Sequence, residues 1–425
     1  MWKRYPAYRR SSVEWLGEIP AHWAVSKLKH LAQFKSGTSI TASDIEESGD
    51  YPVFGGNGLR GFTSSFTHEG DFALVGRQGA LCGCVNYALG RFWASEHAVV
   101  ASPAPGIETR WLGELLRAMD LNQYSQSAAQ PGLAVEVITA LSAPVPPSSE
   151  QQAIAVFLDR ETAEIDALVA KKQALLDRLE EKRAAIISHA VTRGLTPGVP
   201  LRDSGIEWLG SIPAHWKIQR AGSVVVKIEQ GWSPVADDRE ADDDEWAVIK
   251  LSAVHGGEFM GKEHKALPVD LEADERFEIH NGDFLLTRAN TPELVGDVCV
   301  VRHPRPRLML CDLVYRLTLD LGRIAPDFLA WWFLSTPGRF PIRVEARGSS
   351  LSMVKVSQGI IRSWPVVVPP LQEQVTIAAY LRTATSELDA LCGNVRTAID
   401  RLKEYRAALI SAAVTGQIDV REEVA

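Results

Sequence analysis

Sulfur is scarce in this sequence. Five cysteines in 425 residues, an odd number at irregular spacing, make no disulfide framework and point to a reducing compartment. Long apolar runs are missing as well. No stretch approaches the roughly 20 apolar residues that span a bilayer, and the opening Met1-Trp2-Lys3-Arg4-Tyr5-Pro6 has no apolar core of a signal peptide. The expectation is a cytoplasmic protein. Positive charge is also lacking: the formal net charge is −8. Residues 1–149 carry 12 basic and 13 acidic side chains, 150–200 carry 7 and 8, 201–370 carry 20 and 24, and 371–425 carry 6 and 8. No segment is basic overall, so the charge does not advertise nucleic-acid binding; if the chain meets DNA, it does so through local patches or with partners that supply the positive charge.

Catalytic signatures are absent too. There is no Ser/His/Asp elbow, no HExxH helix and no pair of Walker motifs. The Pro-Pro-Tyr/Phe signature that adenine methyltransferases place beside a flipped base is also missing. Gly56-Asn57-Gly58-Leu59-Arg60-Gly61 has the GxGxxG form. The aromatic and β-branched residues that follow it have no helical period, so it reads as a glycine-rich loop rather than a dinucleotide site. Gly256 to Lys262 is one residue short of a phosphate loop, and Glu263 stands where Ser or Thr should hold magnesium. Cys82, Cys84, Cys299 and Cys311 lack zinc spacing and read as small buried thiols. The acidic run Asp237–Glu245 lacks the pattern of a calcium loop and reads as solvated and mobile. A single-chain nuclease would need catalytic residues that are not found.

What the chain does have is duplication. Glu14-Trp15-Leu16-Gly17-Glu18-Ile19-Pro20-Ala21-His22-Trp23 returns as Glu207-Trp208-Leu209-Gly210-Ser211-Ile212-Pro213-Ala214-His215-Trp216, changed only at Ser211. Pro146-Pro147-Ser148-Ser149-Glu150-Gln151 returns as Pro369-Pro370-Leu371-Gln372-Glu373-Gln374. The two repeats have different offsets, 193 and 223 residues, so the blocks between them, 24–143 and 217–366, read as independent globular units of unlike length. Short strands are expected at Tyr51–Phe54, Phe72–Val75 and Ala98–Ala101, and again at Trp246–Leu251, Asp283–Leu286, Asp297–Val301 and Leu313–Leu319. An amphipathic helix closes each block, carrying Trp111, Leu112, Leu115, Leu116 and Met119 in the first and Phe328, Trp331, Trp332 and Leu334 in the second.

Each Pro-Pro then opens a long helical pattern, since the doublet cannot lie inside a helix. A heptad row with a mean period of 3.5 runs through Ile377, Leu381, Leu388, Leu391, Leu402 and Leu409. Its counterpart runs through Ile154, Leu158, Ile165, Leu168, Leu175, Leu179 and Ile186, with polar rungs at Glu161, Lys172 and Lys182. A helix over about 151–191 would be roughly 60 Å long. Matched length and register favour an antiparallel coiled coil of the two helices over two helices each buried against its own block. The fold class expected is α+β. The bottom-up reading is a two-headed binding module.

These features together resemble the specificity (HsdS) subunit of type I restriction-modification enzymes. The resemblance rests on the repeated Glu-Trp-Leu-Gly-x-Ile-Pro-Ala-His-Trp and Pro-Pro-x-x-Glu-Gln motifs, and on the helix ends Ile187–Thr192 and Ile410–Thr415. Gly70-Asp71-Phe72…Gly76-Arg77-Gln78-Gly79 with Phe92–His97 looks like a first-half recognition block, and Gly282–Arg288 looks like the second. Ser148 stands where such subunits often carry Leu, as Leu371 does in the second copy.

The resemblance implies two pseudo-symmetric α/β target-recognition domains separated by the paired helices: 1–149, then the helix 150–192, then 193–368 with its linker, then the helix and tail 369–425. It implies a prokaryotic, non-catalytic chain with no cofactor of its own that reads a bipartite, asymmetric double-stranded DNA target. The implied partners are two methyltransferase (HsdM) subunits using S-adenosylmethionine, and motor-nuclease (HsdR) subunits using ATP and Mg2+. A coiled-coil adaptor with two protein-binding heads is the alternative. Base reading calls for side chains of fork geometry in the major groove. The candidates in turns and polar loops are Arg60, Arg77, Gln78, Arg91, Gln126 and Gln130 in the first block, and Lys262, Lys265, Arg288, Asn290, Arg347 and Ser349 in the second.

Overall fold

Each proline doublet marks a change from sheet to long helix. Strand Ser142–Val145 leads into Pro146-Pro147 and then helix Ser148–Arg193; strand Pro365–Val368 leads into Pro369-Pro370 and then helix Leu371–Val414. Proline is tolerated only ahead of or within the first turn, where its missing N–H would have no intrahelical partner. The structure is a computed structural model that describes residues 2–79, 81–125, 132–350 and 353–423. The chain is α+β and divides into two units, 1–174 with 396–425, and 175–395. Each unit therefore takes one part of each long helix.

The first unit holds a four-stranded antiparallel sheet in the order Ala32–Ser36, Ala98–Pro103, Phe72–Gly76, Val85–Ala88. A second sheet orders Gly58–Thr63, Tyr51–Gly55, Arg91–Ala94 and His68–Glu69, with Tyr51–Gly55 and Arg91–Ala94 running parallel. Helix Thr109–Ala118 buries Trp111, Leu112, Leu115 and Leu116 in the core beside the first sheet. The GxGxxG run is the turn and second strand of a hairpin, not a helix start.

The second unit repeats the plan. Its four-stranded antiparallel sheet orders Val225–Gln230, Val314–Leu319, Phe284–Thr287 and Val298–Val300. In both units the first strand pairs with the last, then come the second and third. The companion sheet orders His264–Ala266, Ala247–Ile249 and Leu308–Met309, again with one parallel pair. Helix Pro326–Leu334 buries Phe328, Leu329, Trp332 and Phe333. Two sequences with little likeness thus share one fold.

The duplicated motifs meet inside each unit. Glu150 accepts hydrogen bonds from Trp23 Nε1 at 2.9 Å and Tyr5 Oη at 3.1 Å, and lies 2.7 Å from His22 Nε2. Glu373 accepts from Trp216 Nε1 at 2.9 Å and lies 2.7 Å from His215 Nε2. The neighbouring glutamines close each joint. Gln151 Oε1 accepts from the Glu108 N–H and its Nε2 donates to the Pro146 carbonyl. Gln374 bonds the Ala325 N–H and the Pro369 carbonyl in the same way. Both motifs are thus read by each other: a buried indole hydrogen-bonded to a glutamate staples the start of the long helix to its unit.

The buried row of the long helices corrects the expected seam. Leu168, Leu175 and Leu391 are 42%, 42% and 44% exposed. Ile154, Leu158, Ile165, Leu179, Ile377, Leu381, Leu388 and Leu409 are buried, and Ile186 and Leu402 are half-buried. The row instead passes through Thr162, Val169, Leu176, Arg183 and Ile187, and through Thr385, Cys392, Ile399, Arg406 and Ile410. Ile154 to Ala190 takes ten steps over 36 residues, and so does Ile377 to Ala413. That is the 3.6-residue period of a straight helix; a 3.5 row drifts from it by about 20° per heptad. In the first unit Asp166 accepts from Arg406 Nε at 2.9 Å, and Arg160 Nη1 donates to the carbonyl of Glu423 in the tail at 2.9 Å. In the second unit Arg183 Nε lies 3.2 Å from Asp389. The 223-residue offset maps Asp166 onto Asp389 and Arg183 onto Arg406, so the two ion pairs are copies.

Candidate nucleic-acid interface

Arg77 follows the strand Phe72–Gly76 at a point where the backbone is crowded. A Cβ on Gly76 would meet the Gly56 carbonyl oxygen at 2.3 Å, so only glycine lets the 55–58 turn lie against it. The Arg77 N–H donates to the His97 carbonyl at 2.9 Å, and its own carbonyl accepts from the Leu133 N–H at 2.9 Å. Its guanidinium donates to Ser36 Oγ at 3.1 Å. Gln78 is exposed and its Oε1 lies 3.1 Å from His97 Nδ1. Arg60 is exposed, and its stem covers Gly55. The first unit therefore gathers Arg60, Arg77 and Gln78 with His97 and Ser36 around one turn.

Arg91 stands elsewhere. It pairs with Glu69 at 3.1 Å and lies over the Phe66 ring. Gln126 and Gln130 lie outside the described residues.

In the second unit Arg288 follows strand Phe284–Thr287. Its N–H donates to the Leu313 carbonyl at 2.8 Å, its carbonyl accepts from the Val356 N–H at 2.9 Å, and its guanidinium lies 5.8 Å from the Tyr315 ring centroid. Asn290 Oδ1 accepts from the Thr291 N–H, and Ala289–Asn290 pairs with Val354–Lys355. Arg347 and Ser349 lie in the strand Arg347–Ser350, whose side chains are outside the described set.

Lys262 is exposed in the turn before His264–Ala266. Lys265 and Lys250 both reach Asp238, at 3.3 and 3.6 Å, and Lys265 holds that carboxyl below the usual carboxylate range. Lys250, Lys265 and Ser233 line a cleft of about 320 Å³ together with Leu313, whose carbonyl accepts from the Arg288 N–H.

The acidic run Asp237–Glu245 is solvated, as expected, and its backbone also has partners elsewhere in the unit. Arg305 donates to the carbonyls of Ala241, Asp242 and Glu245, Arg307 donates to the Asp244 carbonyl, and His264 Nε2 accepts from the Ala241 N–H. Arg239 forks onto Glu245 with two 2.7 Å bonds and holds its carboxyl down to about 2. Lys250, Ser36 and Tyr315 were not singled out from the sequence, whereas His97 ends the block Phe92–His97 noted there. For Lys250 the only signal was its place at the end of the apolar strand Ala247–Ile249. Cys82, Cys299 and Cys311 are buried and Cys84 is half-buried; all four are free thiols. Among the described residues no group of three or more His, Cys, Asp or Glu could hold a metal, and no helix is long and apolar enough to cross a membrane.

Residues 20–178 match the family model for the type I restriction modification DNA specificity domain. Over 137 residues the chain is 47% identical to the type I restriction enzyme EcoprrI specificity subunit of Escherichia coli, covering 31% of this chain and 34% of that one. Over 421 residues it is 22% identical to the EcoDI specificity subunit of Escherichia coli, covering 95% of this chain and 90% of that one. The chain spans 34%, 40% and 58% of the length of the first three curated relatives it matches. A solved chain from work on complex assembly and conformational transition of the type I R-M system aligns with a TM-score of 0.66 at 14% identity, over 93% of this chain and 98% of that one, which shows a shared fold. A protein-binding adaptor is not favoured by these relatives.

Proposed function

We propose, on the match of residues 20–178 to the model of the type I restriction modification DNA specificity domain, that this chain is the sequence-reading subunit of a type I restriction-modification complex. Each unit reads one half of a bipartite, asymmetric double-stranded DNA target. The paired long helices fix the gap between the halves. The chain supplies the address and no chemistry. Methyl transfer from S-adenosylmethionine belongs to two partner methyltransferase subunits, and ATP- and Mg2+-dependent translocation and cleavage belong to motor-nuclease subunits, in the prokaryotic cytoplasm.

The observation that carries this reading is the pairing of one fold with two unlike surfaces. Both units have the same sheet order and the same Glu–Trp–His staple, yet the turns that hold Arg77 and Arg288 are built from different residues. A repeated frame with divergent faces suits two half-sites of different sequence. The net charge of −8 adds a condition: DNA is held tightly only with the methyltransferase partners present.

Co-expression with the partner methyltransferase, followed by sequencing of modified bases in the host DNA, tests the reading. The expected result is adenine methylation at one split motif with an invariant gap. Methylation of a contiguous motif, or none, overturns it.

A further inference from the structure

We propose that Arg77 and Arg288 are counterparts, one in each unit, and that each reads a guanine in the major groove of its half-site. The proposal deepens the reading of the chain as a DNA-sequence reader and rests on it.

The equivalence comes from the backbone. Each arginine follows the central strand that pairs with the last strand of its four-stranded sheet. Each donates its N–H to the turn that opens that last strand, to His97 in one unit and Leu313 in the other. Each takes an N–H from a segment beyond the closing helix, from Leu133 and from Val356. The guanidinium groups also head to the same corner. Arg77 bonds Ser36, the last residue of strand Ala32–Ser36. Arg288 lies over Tyr315, which pairs with Gln230, the last residue of strand Val225–Gln230. The residue after each strand end is a glycine whose Cβ would strike a carbonyl oxygen, Ala94 at 2.2 Å for Gly37 and Leu310 at 2.1 Å for Gly231.

These two arginines keep different company from the ion-paired arginines of the same units. Arg91 and Arg316 are ion-paired, the first with Glu69 and the second with Glu229 and Asp283. Arg77 has a hydroxyl and Arg288 an aromatic ring, and among the described residues neither has a carboxylate within ion-pair distance. A guanidinium leaves a neutral partner for DNA at far lower cost than it leaves a carboxylate. Backbone bonds on both sides fix where the side chain starts, which cuts the ordering cost of binding. The planar fork matches guanine O6 and N7.

The test uses the assembled complex with its methyltransferase partners and a panel of targets altered one base pair at a time. Arg77→Ala should lose discrimination at a single G·C pair of the first half-site, by roughly ten- to hundred-fold in kcat/KM for methylation, with the second half-site unmoved. Arg288→Ala should do the converse. Uniform weakening at all sequences marks a phosphate contact and overturns the proposal, as does unaltered discrimination while the split motif is still methylated. A wild-type complex that methylates no split motif overturns the functional reading as well. Should a variant fail to fold, N7-methylation interference on the wild-type complex decides. One N7-sensitive guanine in each half-site supports the proposal, and a half-site without one overturns it.

Discussion

The buried carboxylate of Glu150 and the indole of Trp23 are 2.9 Å apart, though 127 residues separate them in the chain. The bond joins the two motifs that occur twice in the sequence. Its copy, Trp216 to Glu373, has the same length but a wetter setting: the Glu150 side chain is 9% exposed and that of Glu373 42%. Trp23→Phe removes the donor and leaves a buried charge short of a partner, which costs roughly 1–3 kcal/mol. Trp216→Phe should cost less, because water reaches Glu373. Urea unfolding of both variants checks the order, and equal or reversed losses would contradict it.

The corrected helix row makes a sharper claim about stability. Leu381 is fully buried, whereas Leu391, which a heptad pattern also places inward, is 44% exposed. Leu381→Ala should lose roughly 2–5 kcal/mol, and Leu391→Ala should stay within about 0.5 kcal/mol. Comparable losses would restore the 3.5-residue seam.

If the helices set the gap in the target, their length should count base pairs. Removing 171–177 together with 394–400, segments matched by the 223-residue offset, shortens each helix by about 10 Å. The gap should close by about three base pairs on a 34 Å helical repeat. A methylated motif with its original gap contradicts the ruler.

Burial pushes the thiol of Cys311 up to about 11 and raises that of Cys299 well above its ordinary value. The thiolate is the nucleophile, so both should resist iodoacetamide at pH 8 in the folded protein and react once it is unfolded. Fast native alkylation at either, read by peptide mass spectrometry, would show that the second unit is not packed as described.

Much of the frame was legible in the sequence. Proline doublets fixed where the long helices begin, and the expected strands lie within a residue or two of those observed. The seam drifted because leucines at 168, 175 and 391 fit a heptad, while the helices keep to 3.6 residues per turn. The partners of the acidic run, Arg305 and Arg307, left no local signal because they lie some sixty residues downstream. The match of Arg77 with Arg288 was hidden by one residue. Five positions separate Phe72 from Arg77 but four separate Phe284 from Arg288, so an alignment on Gly-Asp-Phe misses the match by one; the strand pairing restores it, with Gly76 opposite Ala98 and Thr287 opposite Val314.

The most direct measurement is an exchange. Replacing residues 1–143 with the matching block of another specificity subunit, and sequencing the methylated sites, tests whether one unit reads one half. The account predicts a new first half-site beside an unchanged second half-site and an unchanged gap. A change in both halves, or in neither, contradicts it.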